Sequence, residues 1–89
     1  MSERTVVVAS RVGLHARPAS LFTQAAARAG VPIVITSQTG RSVNAASILG
    51  ILSLGIDHGE TVTLASDAAD ADAALDDLVA MLERDLEAE

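Results

Sequence analysis

The sequence predicts an α+β domain in which helices cover one face of a mainly antiparallel sheet. Two observations lead there. Short runs rich in β-branched residues alternate with stretches of helical periodicity, in the order β-α-β-β-α-β-α, without repeats or a linker. The last of the β runs, Glu60 to Ser66, alternates cleanly between apolar and polar positions, as a strand with one covered and one polar face should. Helices between such strands most simply form a second layer on the apolar side. With 89 residues, the chain is read as one domain, 1–89, with a modest core.

The elements follow in order. Arg4 to Ser10 contains the run Val6-Val7-Val8 and is read as a strand. Ser10 to Leu14 forms a loop in which Gly13 is free to adopt an unusual backbone conformation. From Ala16 to Ala29, the apolar residues Ala19, Phe22, Ala26 and Ala29 recur at spacings of one helix face. Pro18 is tolerated only in a first turn, so the helix starts at His15 or Ala16, and Gly30 stops it.

Val31 to Thr36 is a second strand, with Pro32 at its beginning. The turn Gln38 to Arg41 leads into a short third strand, Ser42 to Asn44. Ala46 to Leu54 is a short helix with Ser47 as its N-cap, weakened by Gly50 and ended by Gly55. Within Glu60 to Ser66, Val62 and Leu64 share one face and Thr61 and Thr63 the other. The last helix runs from Ala69 to Leu86 on a stripe of Ala71, Leu75, Leu78, Leu82 and Leu86, broadened by Val79. Asp67, Asp70 and Asp72 suit the positive end of its dipole. Glu83, Asp85 and Glu87 oppose the negative end, so its last turn is expected to fray.

Composition narrows the function. Hydrophobic residues make up 49% of the chain, yet Phe22 is the only aromatic, so the core rests on aliphatic packing around one ring. Cysteine is absent, which excludes disulfides and thiolate metal sites. The net charge of −6, with six arginines and no lysine, speaks against a nucleic-acid binder. No apolar run approaches the length of a membrane span, and no basic segment followed by an apolar one opens the chain. A cytoplasmic protein without membrane insertion is the expectation.

Gly13-Leu14-His15-Ala16-Arg17-Pro18-Ala19 is the stretch that carries chemistry. It sets a histidine at a helix start, where the first N–H groups have no internal partners and the dipole favours negative charge. That environment favours a neutral, nucleophilic imidazole. A phosphoryl group on His15 could then be met by the backbone N–H groups of Ala16 and Arg17, with the Arg17 guanidinium adding to the same oxygens. The bland alternatives are a surface histidine that happens to begin a helix and a solvated arginine. No general acid, metal-ligand set or pocket accompanies the pair. A group carrier needs only a nucleophile and a landing place for charge, so the pattern favours relay over independent catalysis. No metal and no cofactor are called for. The carboxylates Asp67, Asp70, Asp72, Asp76 and Asp77 read as a solvated helix face, and His58 as a solvated loop residue.

This segment resembles the active-site motif of the HPr family, the phosphocarriers of the phosphoenolpyruvate-dependent sugar phosphotransferase system. Val43-Asn44-Ala45-Ala46-Ser47-Ile48-Leu49-Gly50-Ile51-Leu52-Ser53-Leu54-Gly55 resembles the family's second signature, and the element order fits over essentially the whole chain. The resemblance implies an open-faced β-sandwich with four antiparallel strands in the order 1-4-2-3, covered on one face by three helices. It implies that His15 accepts a phosphoryl group on Nδ1 from enzyme I and passes it to sugar-specific enzyme IIA domains, with Arg17 assisting, in a monomeric protein.

Ser47 corresponds to the serine that a dedicated kinase modifies in some members, which makes it a candidate for regulatory phosphorylation by a serine kinase/phosphorylase, with a transcriptional regulator as a further partner. It is equally readable as a plain N-cap. Leu14, Ile48, Leu49 and Leu52 are candidates for an apolar docking patch, with Ile51 and Leu54 turned inward. Members of the family often carry basic residues along the first helix near the site, whereas here Gln24 and Ala27 are neutral and only Arg28 is nearby, so docking should lean on apolar contact. Two other readings stay open: a regulatory binding protein acting through Ser47, and a carrier for a nitrogen-related branch or a dihydroxyacetone kinase.

Overall fold

The computed structural model of the chain describes residues 2–9 and 13–84. Its elements are β1 (Ser2–Val7), α1 (Ala16–Arg28), β2 (Val34–Thr36), β3 (Ser42–Asn44), α2 (Ile48–Leu54), β4 (Thr61–Ser66) and α3 (Asp72–Leu82). The four strands form one antiparallel sheet in the order β1-β4-β2-β3. The element order, the sheet order and the open-faced α+β architecture are those expected.

Register explains which residues face the helices. Val6 stands opposite Val62, and Leu64 is flanked by Arg4 on β1 and Ile35 on β2. Val6, Val62, Leu64 and Ile35 are buried, so this face of the sheet carries the core. The opposite face presents Val7, Val34, Thr61 and Thr63, and there Val7 and Val34 are exposed. α1 packs on α2 and α3, and α3 lies across β1 and β4. Phe22 sits at zero exposure in a buried cluster with Leu14, Ile51, Ile56, Leu75 and Leu78. The buried hydroxyls of Thr23, Ser37 and Ser66 are all bonded, Ser66 by donating to the Pro32 carbonyl at 2.6 Å. A buried polar group left without a partner would cost about 1–3 kcal/mol.

Element ends depart from the sequence expectation where partners, not propensity, set them. β1 stops at Val7 because its six residues exhaust the six of β4. Val8 still donates to Glu60, but Ala9 turns to donate to the Leu82 carbonyl at the end of α3. Ser10, the expected end of this strand, lies outside the described residues. β2 begins at Val34, not Val31, because its ladders with β3 and β4 both begin at Val34. α2 begins at Ile48, not Ala46: Asn44 Oδ1 accepts from Ala46 N–H and the Asn44 carbonyl from Ser47 N–H, which spends residues 44–47 on a turn. α3 begins at Asp72 and ends at Leu82. Leu86 and the fraying anticipated around Asp85 and Glu87 lie outside the described residues.

Ala71, Leu75, Leu78 and Leu82 form the buried stripe of α3. The acidic face beside it is not merely solvated. Arg4 crosses from β1 to place its guanidinium 2.8 Å from Asp76 and 3.4 Å from Asp72. A hydrogen bond from Ser2, then the charge and hydrogen bond of Arg4, hold the Asp72 carboxyl below the ordinary carboxylate range. No helix among the described residues is long and apolar enough to cross a membrane.

Candidate functional site

His15 is the N-cap of α1, with an extended backbone (φ −127°, ψ 162°). Its carbonyl accepts from Ala19 N–H, while its side chain makes no capping bond. The imidazole is therefore uncommitted to the helix it begins, and it is 40% exposed. Pro18 falls in the first turn and is buried, where its missing N–H leaves no helical bond unmade. Arg17 follows on the exposed side of the same turn. Both lie at the open end of α1, whose far end carries Arg28 in the last turn, complementary to the dipole.

The loop that delivers His15 is pinned from behind. Leu14 donates its N–H to the Ile56 carbonyl at 2.9 Å, and its side chain is fully buried. Gly13 has φ +70° and lies so close to this segment that a Cβ there would overlap the Ile56 carbonyl oxygen and come within 2.7 Å of Asp57 Cα. The sequence motif needs glycine for both reasons. Leu14 must accordingly be removed from the expected docking patch. Its backbone bond turns the side chain into the core, so it anchors the site from inside and offers a partner no surface.

The same close approach carries Asp57 to His15. Asp57 Oδ1 lies 3.6 Å from His15 Nε2, with 82% of the aspartate side chain exposed. The turn that holds it is itself fixed. Gly59 N–H donates to Val8, Glu60 N–H to the Asp57 carbonyl, and Asp57 N–H points at Glu60 Oε1 at 3.4 Å. Sequence reading passed over Asp57 because its neighbourhood to His15 depends on packing between segments more than forty residues apart. Only the loop character of His58 is visible locally.

The second motif builds α2. Ser47 is half-buried, and its Oγ accepts from Gly50 N–H at 3.0 Å, a full N-cap bond. Gly50, a weak helix former, stands close against β3. A Cβ there would lie 3.1 Å from Val43 Cβ, so the glycine lets α2 sit on β3. Ile51 is fully buried and Leu54 half-buried, whereas Ile48, Leu49 and Leu52 are exposed, Leu49 at 78%. Three apolar side chains at helical spacing thus form an uncovered strip. Gln24 and Ala27 on α1 are exposed and neutral. Two surface hollows, of about 540 and 410 Å³, are lined by residues outside both motifs.

A protein-family model described as "PTS HPr component phosphorylation site" matches residues 2–84. The chain belongs to the HPr family. It is 51% identical over 87 residues to the phosphocarrier protein HPr of Streptomyces coelicolor, covering 98% of this chain and 94% of that protein. It is 42% identical over 85 residues to the HPr-like protein Crh of Halalkalibacterium halodurans, covering 96% of this chain and all of that one. Among solved structures it is similar to phosphocarrier protein HPr from Bacillus anthracis, with a TM-score of 0.86 and 42% identity over 91% of this chain and 95% of that one. The fold is thus shared with HPr proteins over nearly the full length.

Proposed function

We propose that this HPr-family protein is a phosphohistidine carrier, in which His15 Nδ1 accepts a phosphoryl group from phosphorylated enzyme I and passes it to enzyme IIA domains of sugar uptake in the cytoplasm. The observation that carries this reading is the uncommitted imidazole of His15 at the start of α1. Its lone pair attacks phosphorus, the bond from phosphorus to the donor breaks, and the new phosphoryl oxygens lie at the first-turn N–H groups of Ala16 and Arg17. The Arg17 guanidinium supplies a second, mobile positive charge to the same oxygens. The exposure of His15 suits a site that successive partner proteins can cover.

Ile48, Leu49 and Leu52 supply the apolar strip on which those partners dock, and the neutral Gln24 and Ala27 leave that contact little electrostatic steering. Ser47 adjoins the strip, and the Crh-named relative favours a second role. A phosphate on Ser47 Oγ would set two negative charges beside Ile48 and weaken acidic partners' docking, as a regulatory modification would.

Incubation with phosphoenolpyruvate and a matched enzyme I, followed by intact mass, tests the carrier reading. One acid-labile phosphoryl group is expected on the protein and none on His15→Ala, while Ser47→Ala should load normally. No transfer to the wild-type protein from a competent enzyme I would sink the proposal.

A further inference from the structure

We infer that Asp57 is a positioning residue for phosphoryl acceptance: its carboxylate faces Nε2 of His15, holds the ring as the Nε2–H tautomer and opposes the positive charge that the ring acquires when Nδ1 bonds to phosphorus. This inference rests on the carrier reading above. The carboxylate stands 3.6 Å from Nε2, and Asp57 is held there by the packing of Gly13 on residues 56 and 57 and by the bonded turn 57–60. Neutral imidazole has one N–H and one lone pair, and the partner of one nitrogen decides which nitrogen keeps the lone pair. A carboxylate only accepts, so it selects Nε2–H and leaves Nδ1 as the nucleophile.

The balance of the step explains why the charge matters. The Nδ1 lone pair forms the N–P bond as the bond from phosphorus to the donor breaks. The Nε2 proton stays in place, and the ring becomes a phosphoimidazolium with a formal positive charge. Asp57 lies on the Nε2 side, nearer to that ring charge than to the phosphoryl oxygens on Nδ1, so its net effect favours the product. An aspartate beside a reacting histidine plays the same two parts in hydrolytic triads, fixing the tautomer and stabilising the imidazolium. Here the pair is exposed and longer than a hydrogen bond, so the effect is small and salt-sensitive. A surface ion pair corresponds to about a two- to fivefold change in rate. Among the described residues, Arg17 follows His15 on the exposed side of α1, and Glu60 turns its carboxylate to Asp57 N–H.

Two readouts on the full chain test the inference. In ¹⁵N-labelled protein at alkaline pH, the ring nitrogen shifts of His15 should report Nε2–H in the wild type and move toward the solution mixture of tautomers in Asp57→Ala. Asp57→Asn should keep the tautomer through its amide oxygen. In single-turnover loading from phosphorylated enzyme I at low salt, Asp57→Ala and Asp57→Asn should both be about two- to fivefold slower, Asp57→Glu should recover part of the rate, and about 1 M salt should erase the differences. An unchanged His15 spectrum in Asp57→Ala, or loading as fast as wild type at low salt, overturns the inference. A wild-type protein that never loads overturns the carrier reading instead, and the tautomer measurement separates the two cases because it needs no phosphoryl donor.

Discussion

Replacing Gly13 by alanine tests how the site is attached to the fold. The residue combines a left-handed backbone, φ +70°, with backbone atoms of Ile56 and Asp57 where a Cβ would stand. The left-handed conformation costs an alanine about 1–2 kcal/mol. Overpacking adds about 1–3 kcal/mol, and the atoms in the way are backbone, which cannot swing aside like a side-chain tip. The expected loss is therefore about 2–5 kcal/mol, a large share of the 5–15 kcal/mol typical of a domain. Gly30 supplies the control, because it has nearly the same φ, +74°, and nothing within 4 Å of its would-be Cβ. Gly30→Ala should lose only the conformational part. The gain from a stiffer unfolded chain is common to both variants and cancels in the comparison. Urea unfolding followed by circular dichroism measures the difference, with an unchanged m-value required for a like-for-like reading. Gly13→Ala should unfold at lower urea than Gly30→Ala by about 1–3 kcal/mol, and should also load phosphate more slowly, since the loop must leave residues 56–57. Equal destabilisation by the two variants would refute the docking of the site loop on the 56–57 segment.

Phe22→Ala removes the one aromatic ring from a fully enclosed position and should cost about 3–5 kcal/mol in the same urea assay. Ser47→Ala deletes the cap on Gly50 N–H and should cost about 1 kcal/mol, whereas Ser47→Asp, which can accept the same bond, should stay within a few tenths of wild type while weakening binding to an acidic partner. The Asp72 carboxyl is held low by Ser2 and Arg4, so its contribution to stability is complete above the ordinary aspartate range and is lost as pH falls through the depressed folded-state value. Arg4→Ala should therefore flatten the acid limb of a thermal-midpoint-against-pH curve between neutral pH and the strongly acidic range. Parallel limbs for the two proteins would show that Arg4 contributes nothing to it.

What could be read in the sequence was what local chemistry decides. Pro18 and Gly30 bracket α1 because one lacks an N–H and the other adopts φ +74°, and both facts belong to the residue itself. The alternation of β4 and the stripe of α3 likewise need no knowledge of partners. The errors lie where a distant segment decides. β2 was drawn too long because the ladder, not the run Val31 to Thr36, sets its length. Leu14 was placed outside because nothing near it in the chain shows that Ile56 will take its N–H. Gly50 looked like a flaw in α2 until Val43 was found against it. Asp57 gave no signal for the same reason: its neighbour across the surface is a histidine more than forty residues away.

The two motifs begin two helices, and the side chains at the two N-caps are used differently. Ser47 turns its oxygen back on α2 and satisfies Gly50 N–H, so that helix start is closed by its own cap. His15 has an extended backbone like Ser47 but makes no side-chain cap, so it leaves the start of α1 to whatever anion arrives. Serine, aspartate or asparagine at position 15 would stabilise α1 by about 1 kcal/mol and occupy those donors at the same time. A fold selected for stability alone would favour one of them there. Histidine at that position gives up the cap; in the proposed carrier role, the return is a nucleophile whose product charge falls where the helix is short of acceptors. His15→Ser is therefore expected to raise the urea midpoint slightly while abolishing loading. A protein stabilised by His15→Ala to the same degree would show that the N-cap oxygen plays no part, and with it the idea that the start of α1 is held open.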